Sequence, residues 1–265
     1  MRAPALYLRV ASTVAIAVAT ACAARAQVSN DEMNASNNPL SPSIAFNLQN
    51  SYTARIYGLS DADSNAFLLR GALPHKLFGM PQLLRLTLPV VTTPDLPPAG
   101  RHTGLGDLNI FDIVLFKESG FEWGIGPQLT IPTASRDEQG TGKWQAGLAT
   151  MAIVPQRWGL LGGLLTWQHS FAGDDDRPTQ NNMQLQPLII YNLPQGWYLR
   201  STAVWTFDFA HSTHVIPVGA GLGKVFKSGR TTINAFVEPQ WSVSHEGDGL
   251  PKFQVFFGLN LQFPL

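Results

Sequence analysis

The chain reads as an all-β protein, a transmembrane antiparallel up-and-down β-barrel of about twelve strands. Three observations lead there. First, residues 252–265 alternate: Phe253, Val255, Phe257, Leu259, Leu261, Phe263 and Leu265 share one face, and Gln254, Gly258, Asn260 and Gln262 share the other, with Phe256 the bulky exception. Period two is the period of a strand, and one apolar side with one polar side suits a wall between lipid and a lumen. Second, the chain opens with an export signal. Third, the segments between alternating stretches are short and long by turns.

Residues 1–26 have the form of a signal peptide. Arg2 and Arg9 supply a positive start, Val10 to Ala24 is an apolar run of small residues, and Ala24-Arg25-Ala26 is a small-x-small cleavage site. The run is too short for a spanning helix, and no later stretch approaches the ~20 apolar residues that such a helix needs. The single cysteine, Cys22, lies inside this signal. Thr20-Ala21-Cys22 loosely fits a lipoprotein pattern with Cys22 acylated, although Ala19 stands where a larger aliphatic is usual. Cleavage after Ala26 instead leaves no cysteine, hence no disulfide, no thiolate metal site and no cysteine nucleophile.

The exported part is large enough for one domain. The chain has 18 basic and 18 acidic residues; Arg2, Arg9 and Arg25 fall in the signal, leaving 15 against 18 and a net charge of −3. That balance gives no footprint for nucleic acid. Charged residues are 14% of the chain, well under the ~25% of a soluble domain, as a wall with one lipid-facing side requires.

The elements follow in order. Residues 27–41 are Asn/Ser-rich and read as an irregular periplasmic segment; residues 42–265 form the barrel. Its predicted strands span 43–57, 64–73, 82–92, 105–117, 120–132, 143–154, 159–171, 182–193, 197–209, 214–227, 230–243 and 252–265. Most have the ~9–11 residues that cross a membrane at a tilt. Lys117 to Gly120, Pro155 to Trp158, Pro194 to Gly196 and Lys227 to Arg230 are tight turns, whereas Thr92 to Gly104, Pro132 to Gly142, Ala172 to Asn181 and Ser244 to Pro251 are longer polar loops. Outer-membrane barrels pair short periplasmic turns with longer outer loops, so an even strand number puts both termini in the periplasm. Pro74 to Pro81 reads as a long turn on that side, and Ala210 to Thr213 as a short outer loop.

Tryptophan supports the same register. Trp144, Trp167, Trp205 and Trp241 fall near outer strand ends, and Trp123 and Trp197 near periplasmic ends, all in the apolar phase; Trp158 sits in a turn. This is the aromatic girdle of a membrane barrel. Four prolines, Pro127, Pro187, Pro217 and Pro239, lie inside predicted strands, and bulges would accommodate them. Strand four changes phase, because Asp107 and Asn109 share parity with Phe111, Ile113 and Leu115; a bulge near Ile110 would turn Asp107, Asn109 and Asp112 all to the lumen.

Three stretches resemble a known family. Gln49-Asn50-Ser51-Tyr52-Thr53 leads through Tyr57-Gly58-Leu59 to Leu68-Leu69-Arg70; Gly104-Leu105-Gly106-Asp107-Leu108 opens strand four; Gly124-Ile125-Gly126-Pro127-Gln128-Leu129-Thr130-Ile131-Pro132-Thr133 follows. The pattern is similar to bacterial outer-membrane transporters of the phenol-degradation meta-pathway type, often mislabelled neuromedin U. The resemblance implies an outer-membrane channel for small compounds, aromatic ones among them. One departure is the chain end, Gln262-Phe263-Pro264-Leu265, where the barrel assembly machinery commonly reads a terminal aromatic residue.

The lumen phase supplies the candidate solute path: Arg70, Arg85, Asp107, Asp112, Arg200, Asp208, Lys224, Phe236, Glu238 and Phe256. Isolated charges there must pair or stay wet. Such a set serves either a polar path with greasy contacts for a small-molecule solute, or a self-satisfying network that closes the lumen, as in a structural or adhesive barrel. The Thr92 to Gly104 loop is expected to fold over the mouth, and residues 27–41 to enter from below. Asp174-Asp175-Asp176 is a loop charge run able to bridge cations with lipopolysaccharide of the surrounding outer-membrane lipid. Neither cofactor nor metal is expected, since His211 and His214 lie on a loop. An outer-membrane lipid hydrolase is the rival from another class. Its candidates are His169-Ser170, Ser212-Thr213-His214 and Ser244-His245; neighbours in the first and third point to opposite faces, and no Gly-x-Ser-x-Gly elbow occurs.

Overall fold

A computed structural model describes residues 28–265; the stretch expected to be a signal peptide, with Cys22, lies outside the described residues. Twelve strands close into one antiparallel barrel. They are β1 (Ser43–Ile56), β2 (Ser64–Leu77), β3 (Met80–Thr92), β4 (Thr103–Leu105 and Leu108–Glu118), β5 (Phe121–Ile131), β6 (Lys143–Gln156), β7 (Gly159–Gly173), β8 (Asn181–Asn192), β9 (Trp197–Ser201 and Trp205–Asp208), β10 (Thr213–Gly219 and Gly221–Ser228), β11 (Thr231–Glu246) and β12 (Pro251–Pro264). Each pairs with its neighbours in sequence, and β1 zips to β12 from Ser43↔Pro264 to Ile56↔Pro251. The alternating C-terminal strand thus closes the cylinder, which removes the free edges that an open sheet would expose.

Alternation decides which way each side chain points. Phe46, Leu73, Ile125, Leu148, Ile189 and Val237 are large, apolar and exposed on the outside of β1, β2, β5, β6, β8 and β11. A soluble sheet has no reason to leave such a belt in water; a lipid-facing wall requires it. Inside, the end bearing the short turns is packed with Leu83, Phe111, Ile113, Ile153, Leu160 and Tyr198, whereas the loop end is polar.

Three expectations are corrected here. The segment expected to be irregular, 27–41, contains a helix: among its described residues Asn30–Asn37 is α1, with Ser29 as its N-cap. Ser29 Oγ accepts from the Glu32 amide at 3.2 Å, while Glu32 Oε2 accepts from the Ser29 amide at 2.8 Å, a reciprocal capping box. The Pro74 to Pro81 stretch is not a long turn, because β2 and β3 run on to Leu77↔Met80 and leave Phe78-Gly79 as a two-residue hairpin turn. Both have positive φ, 51° and 78°, the backbone that a tight primed turn demands. Bulges are not the general answer to the strand prolines. Only Pro217 adjoins a register shift, between Ile216 and Pro217. Pro187 lies opposite residues 202–204, which are unpaired within β9, and Pro239 faces Ala220, the break in β10. Each missing N–H therefore meets an interruption in the ladder.

Candidate functional site: the barrel lumen

The lumen has three storeys. At the turn end lies α1. Met33 and Leu40 are buried in the apolar cluster, and the polar face of the helix is tied to the wall all round. Asn34 Nδ2 donates to the Gln156 carbonyl and Asn34 Oδ1 accepts from Asn192 Nδ2, both at 2.9 Å. Asn234 Nδ2 donates to Asn37 Oδ1 at 3.0 Å, Gln262 Nε2 to the Ser36 carbonyl at 3.1 Å, and Asn38 Nδ2 to Glu122 Oε2 at 2.7 Å. Lys227 pairs with Glu32. A helix this short is marginal alone in water, so these contacts with β5, β6, β8, β10, β11 and β12 hold it. The Glu32 carboxyl is held below its ordinary range, first by the Lys227 hydrogen bond and then by the Ser29 amide.

Mid-height carries charge and aromatic rings. Glu238, fully buried, accepts from Arg200 Nε at 2.7 Å, from the Thr202 amide at 2.7 Å and hydroxyl at 2.7 Å, and from Gln240 Nε2 at 3.1 Å. The Arg200 guanidinium lies 3.6 Å above the Phe236 ring, which in turn sits 5.1 Å from Phe256. A Cβ on Gly219 would meet Glu238 Oε1 at 2.1 Å, and one on Gly221 would meet the Val237 carbonyl at 2.6 Å. Gly219-Ala220-Gly221 therefore makes room for the ion pair at the break in β10. Arg70 and Arg85 occupy the opposite part of the wall; Arg70 Nη1 donates to Gln49 Oε1 at 2.7 Å, and Arg85 stacks 4.3 Å above Phe111.

At the loop end is a polar cavity of about 350 Å³, lined by Asp107, Thr130, Gln145, Gln168, Asp208 and His214 among others. A second hollow, about 590 Å³, notches the outer wall where β9 and β10 are interrupted. Ile189, Leu199, Leu222, Val237 and Pro239 give it an apolar lining, and Arg200 also lines it.

No family model and no curated protein matches the chain. Solved structures do. An outer membrane channel from Pseudomonas putida F1 shares the fold at a TM-score of 0.63 and 16% identity, over 83% of this chain and 94% of that one. The KdgM porin (TM-score 0.43, 11% identity, 84% and 99% coverage) and the Salmonella typhi outer membrane phospholipase dimer with bound calcium (0.40, 13%, 91% and 98%) resemble it more loosely.

Against this geometry the predicted residues divide. Arg70, Arg85, Arg200, Glu238, Phe236 and Phe256 lie in the lumen at mid-height. Asp107 and Asp208 reach the loop-end cavity but are spoken for: Asp107 accepts from the Thr141 amide at 2.7 Å, and Asp208 holds His211 Nδ1 at 2.7 Å. Two placements are corrected. Asp112 faces outward, since the Leu108–Glu118 part of β4 has no bulge near Ile110 and Phe111 and Ile113 beside Asp112 are buried inside. It pairs with His75 Nε2 at 3.0 Å on the outer wall. Lys224 also faces outward: along β10 the odd positions Val215 and Val225 are buried inside, whereas the even positions Val218 and Leu222 are exposed on the outer wall; its ammonium lies 4.5 Å above Trp197.

Trp144, Trp167 and Trp241 are exposed on the outside, Trp123 stacks on Phe116 at 4.3 Å, and Trp205 Nε1 donates to the Pro217 carbonyl at 3.0 Å. The Thr92 to Gly104 loop is a further correction. It does not cover the mouth but prolongs the β3–β4 hairpin, with Arg101 clamping Asp63 through both carboxylate oxygens at 3.0 and 2.6 Å. That clamp holds the Asp63 carboxyl below its usual range. The loop that turns inward is Pro132 to Gly142, where Gln139 is buried and Arg177 donates to the Gly140 carbonyl at 2.6 Å.

Sequence reasoning missed α1, although Ser29-x-x-Glu32 is a capping-box signature. It also missed a serine–histidine contact: His214 Nε2 lies 3.0 Å from Ser244 Oγ. These residues come from two different candidate motifs, brought together by the β10–β11 pairing. Among the described residues no carboxylate orients His214, as Asp208 serves His211, so the pair lacks the third member of a hydrolytic triad. No cluster of three metal-ligating side chains occurs among the described residues.

Proposed function

We propose that the chain is a passive channel of the Gram-negative outer membrane, with its termini and short turns in the periplasm, that conducts small apolar or aromatic solutes. The observation that carries this reading is the built lumen. A polar cavity lies at the loop end and a belt of arginines and phenylalanines at mid-height, and the far end is filled by an eight-residue helix, held through hydrogen bonds and one ion pair, together with the apolar side chains packed around Met33. The apolar wall notch beside Arg200, Phe236 and Phe256 supports an apolar body for the solute, and so does the resemblance to transporters of the phenol-degradation type. Selection would rest on size and polarity, with diffusion down a gradient as the driving force.

Swelling of liposomes that contain the refolded protein tests this. Phenol-sized solutes should enter faster than into protein-free liposomes, and F236S/F256S should slow them. Equal rates with and without protein would count against the reading. The helix itself favours a second one, a sealed barrel with a structural role; removing residues 28–41 then leaves the lumen as impermeable as before.

A further inference from the structure

We propose that Arg70 and Arg85 form a binding site for a carboxylate-bearing solute midway along the lumen. This deepens the channel reading and rests on it for its consequence. Arg70 lies near the middle of β2 and Arg85 near the middle of β3; Arg70 is opposite Thr87 and Arg85 opposite Ala72. They are diagonal neighbours on the lumen face, a relation that lets long side chains reach one another.

Two cations side by side ordinarily imply an acid between them. None is present among the described residues: neither arginine forms an ion pair. Glu238 is taken by Arg200, and Asp112 points out of the barrel toward His75. Arg70 donates to Gln49, whose own amide is fixed on Asn260 Oδ1 at 3.0 Å. Arg85 rests on Phe111. The Nε atoms of both arginines are buried without an acceptor, yet each residue keeps partial exposure. Each guanidinium offers five N–H donors in a rigid fork, so the pair presents an array of donors with almost nothing to receive it. A charge within a membrane-spanning wall is costly, and its retention marks a path or a site.

The geometry selects the ligand class. A carboxylate presents two coplanar oxygens that a guanidinium fork meets with two parallel hydrogen bonds, and a second arginine takes the remaining lone pairs. Ala72, Leu83 and Phe111 line the same stretch of wall. Apolar surroundings make a doubly charged phosphate costlier to desolvate than a singly charged carboxylate.

Equilibrium dialysis of the folded protein in detergent tests the site without needing an open pore, with benzoate as probe and benzyl alcohol as its uncharged counterpart. We expect benzoate to be retained about tenfold more strongly than benzyl alcohol, the change in affinity of one well-made polar contact, and R70Q/R85Q to abolish the difference. R85M removes no hydrogen bond and should fold even where the double variant does not; it should weaken benzoate binding. Equal binding of the two probes, or benzoate binding unchanged in a folded R85M, overturns the proposal. Benzoate binding without conductance in a planar bilayer would leave the site standing and remove the channel reading. Conductance without benzoate binding would do the reverse.

Discussion

Glu238 and Arg200 form the most committed contact in the barrel, and the energetics of that pair can be tested directly. Every oxygen of the Glu238 carboxylate is hydrogen-bonded and the side chain is fully buried. Taking away one partner of such a pair strands the other charge and costs about 3–5 kcal/mol. Glu238→Gln should therefore lower the unfolding free energy obtained from urea titration of the refolded barrel by that amount, whereas R200M/E238L, which removes both charges, should cost less. Equal losses would mean that packing, not charge, holds the site. At this scale the sequence was informative where alternation was unbroken: the parity of β2, β3, β11 and β12 places Arg70, Arg85, Phe236, Glu238 and Phe256 inside. It was misleading at Lys224, because β10 carries apolar residues in both phases, Val215 and Val225 inside and Val218 and Leu222 outside, so alternation alone does not say which phase holds the lumen. Asp112 misled for a different reason. Its partner, His75, comes from another hairpin, and nothing local in the sequence announces that pairing. If the outward placement is right, Asp112→Leu leaves conductance unchanged and does not lower stability, since an acid on a lipid-facing wall is unfavourable.

The helix α1 shows how an element can be hidden by its composition. Asn30 to Asn37 is polar, with Met33 and Ala35 its only apolar side chains, so no amphipathic stripe marks it. Its fold comes from a capping box and from the strands around it. The Glu32–Lys227 pair makes the docking sensitive to pH. Because the Glu32 carboxyl is depressed in the folded protein, ionised Glu32 favours the docked helix. That contribution is present above the ordinary glutamate value, ~4.3, and is lost as pH falls through the lower folded value. Acidification through this window should raise conductance, and Glu32→Gln should reproduce the effect at neutral pH. A conductance flat from pH 7 to pH 3 in the wild type would argue that Glu32 does not hold the helix. Removing the cap by Ser29→Ala, worth about 1 kcal/mol, should act in the same direction and more weakly.

At the scale of the molecule, the strand number, order and sorting of short turns from long loops were legible because a barrel wall obeys one rule along its whole length. The storeys of the lumen were not. They depend on which strands face each other across it, and adjacency in sequence says nothing about that. Hence the polar cavity lined from β4 through β10, the break shared by β9 and β10, and the inward turn of the Pro132 to Gly142 loop emerge only from the closed structure. The central claim is that this lumen conducts and that α1 restricts it. Single-channel recording in a planar bilayer, comparing the refolded chain with a form lacking residues 28–41, tests it most directly. The account predicts small discrete openings for the intact chain and larger ones for the shortened form. Silence from both, with each shown to be a folded, heat-modifiable barrel, would contradict it.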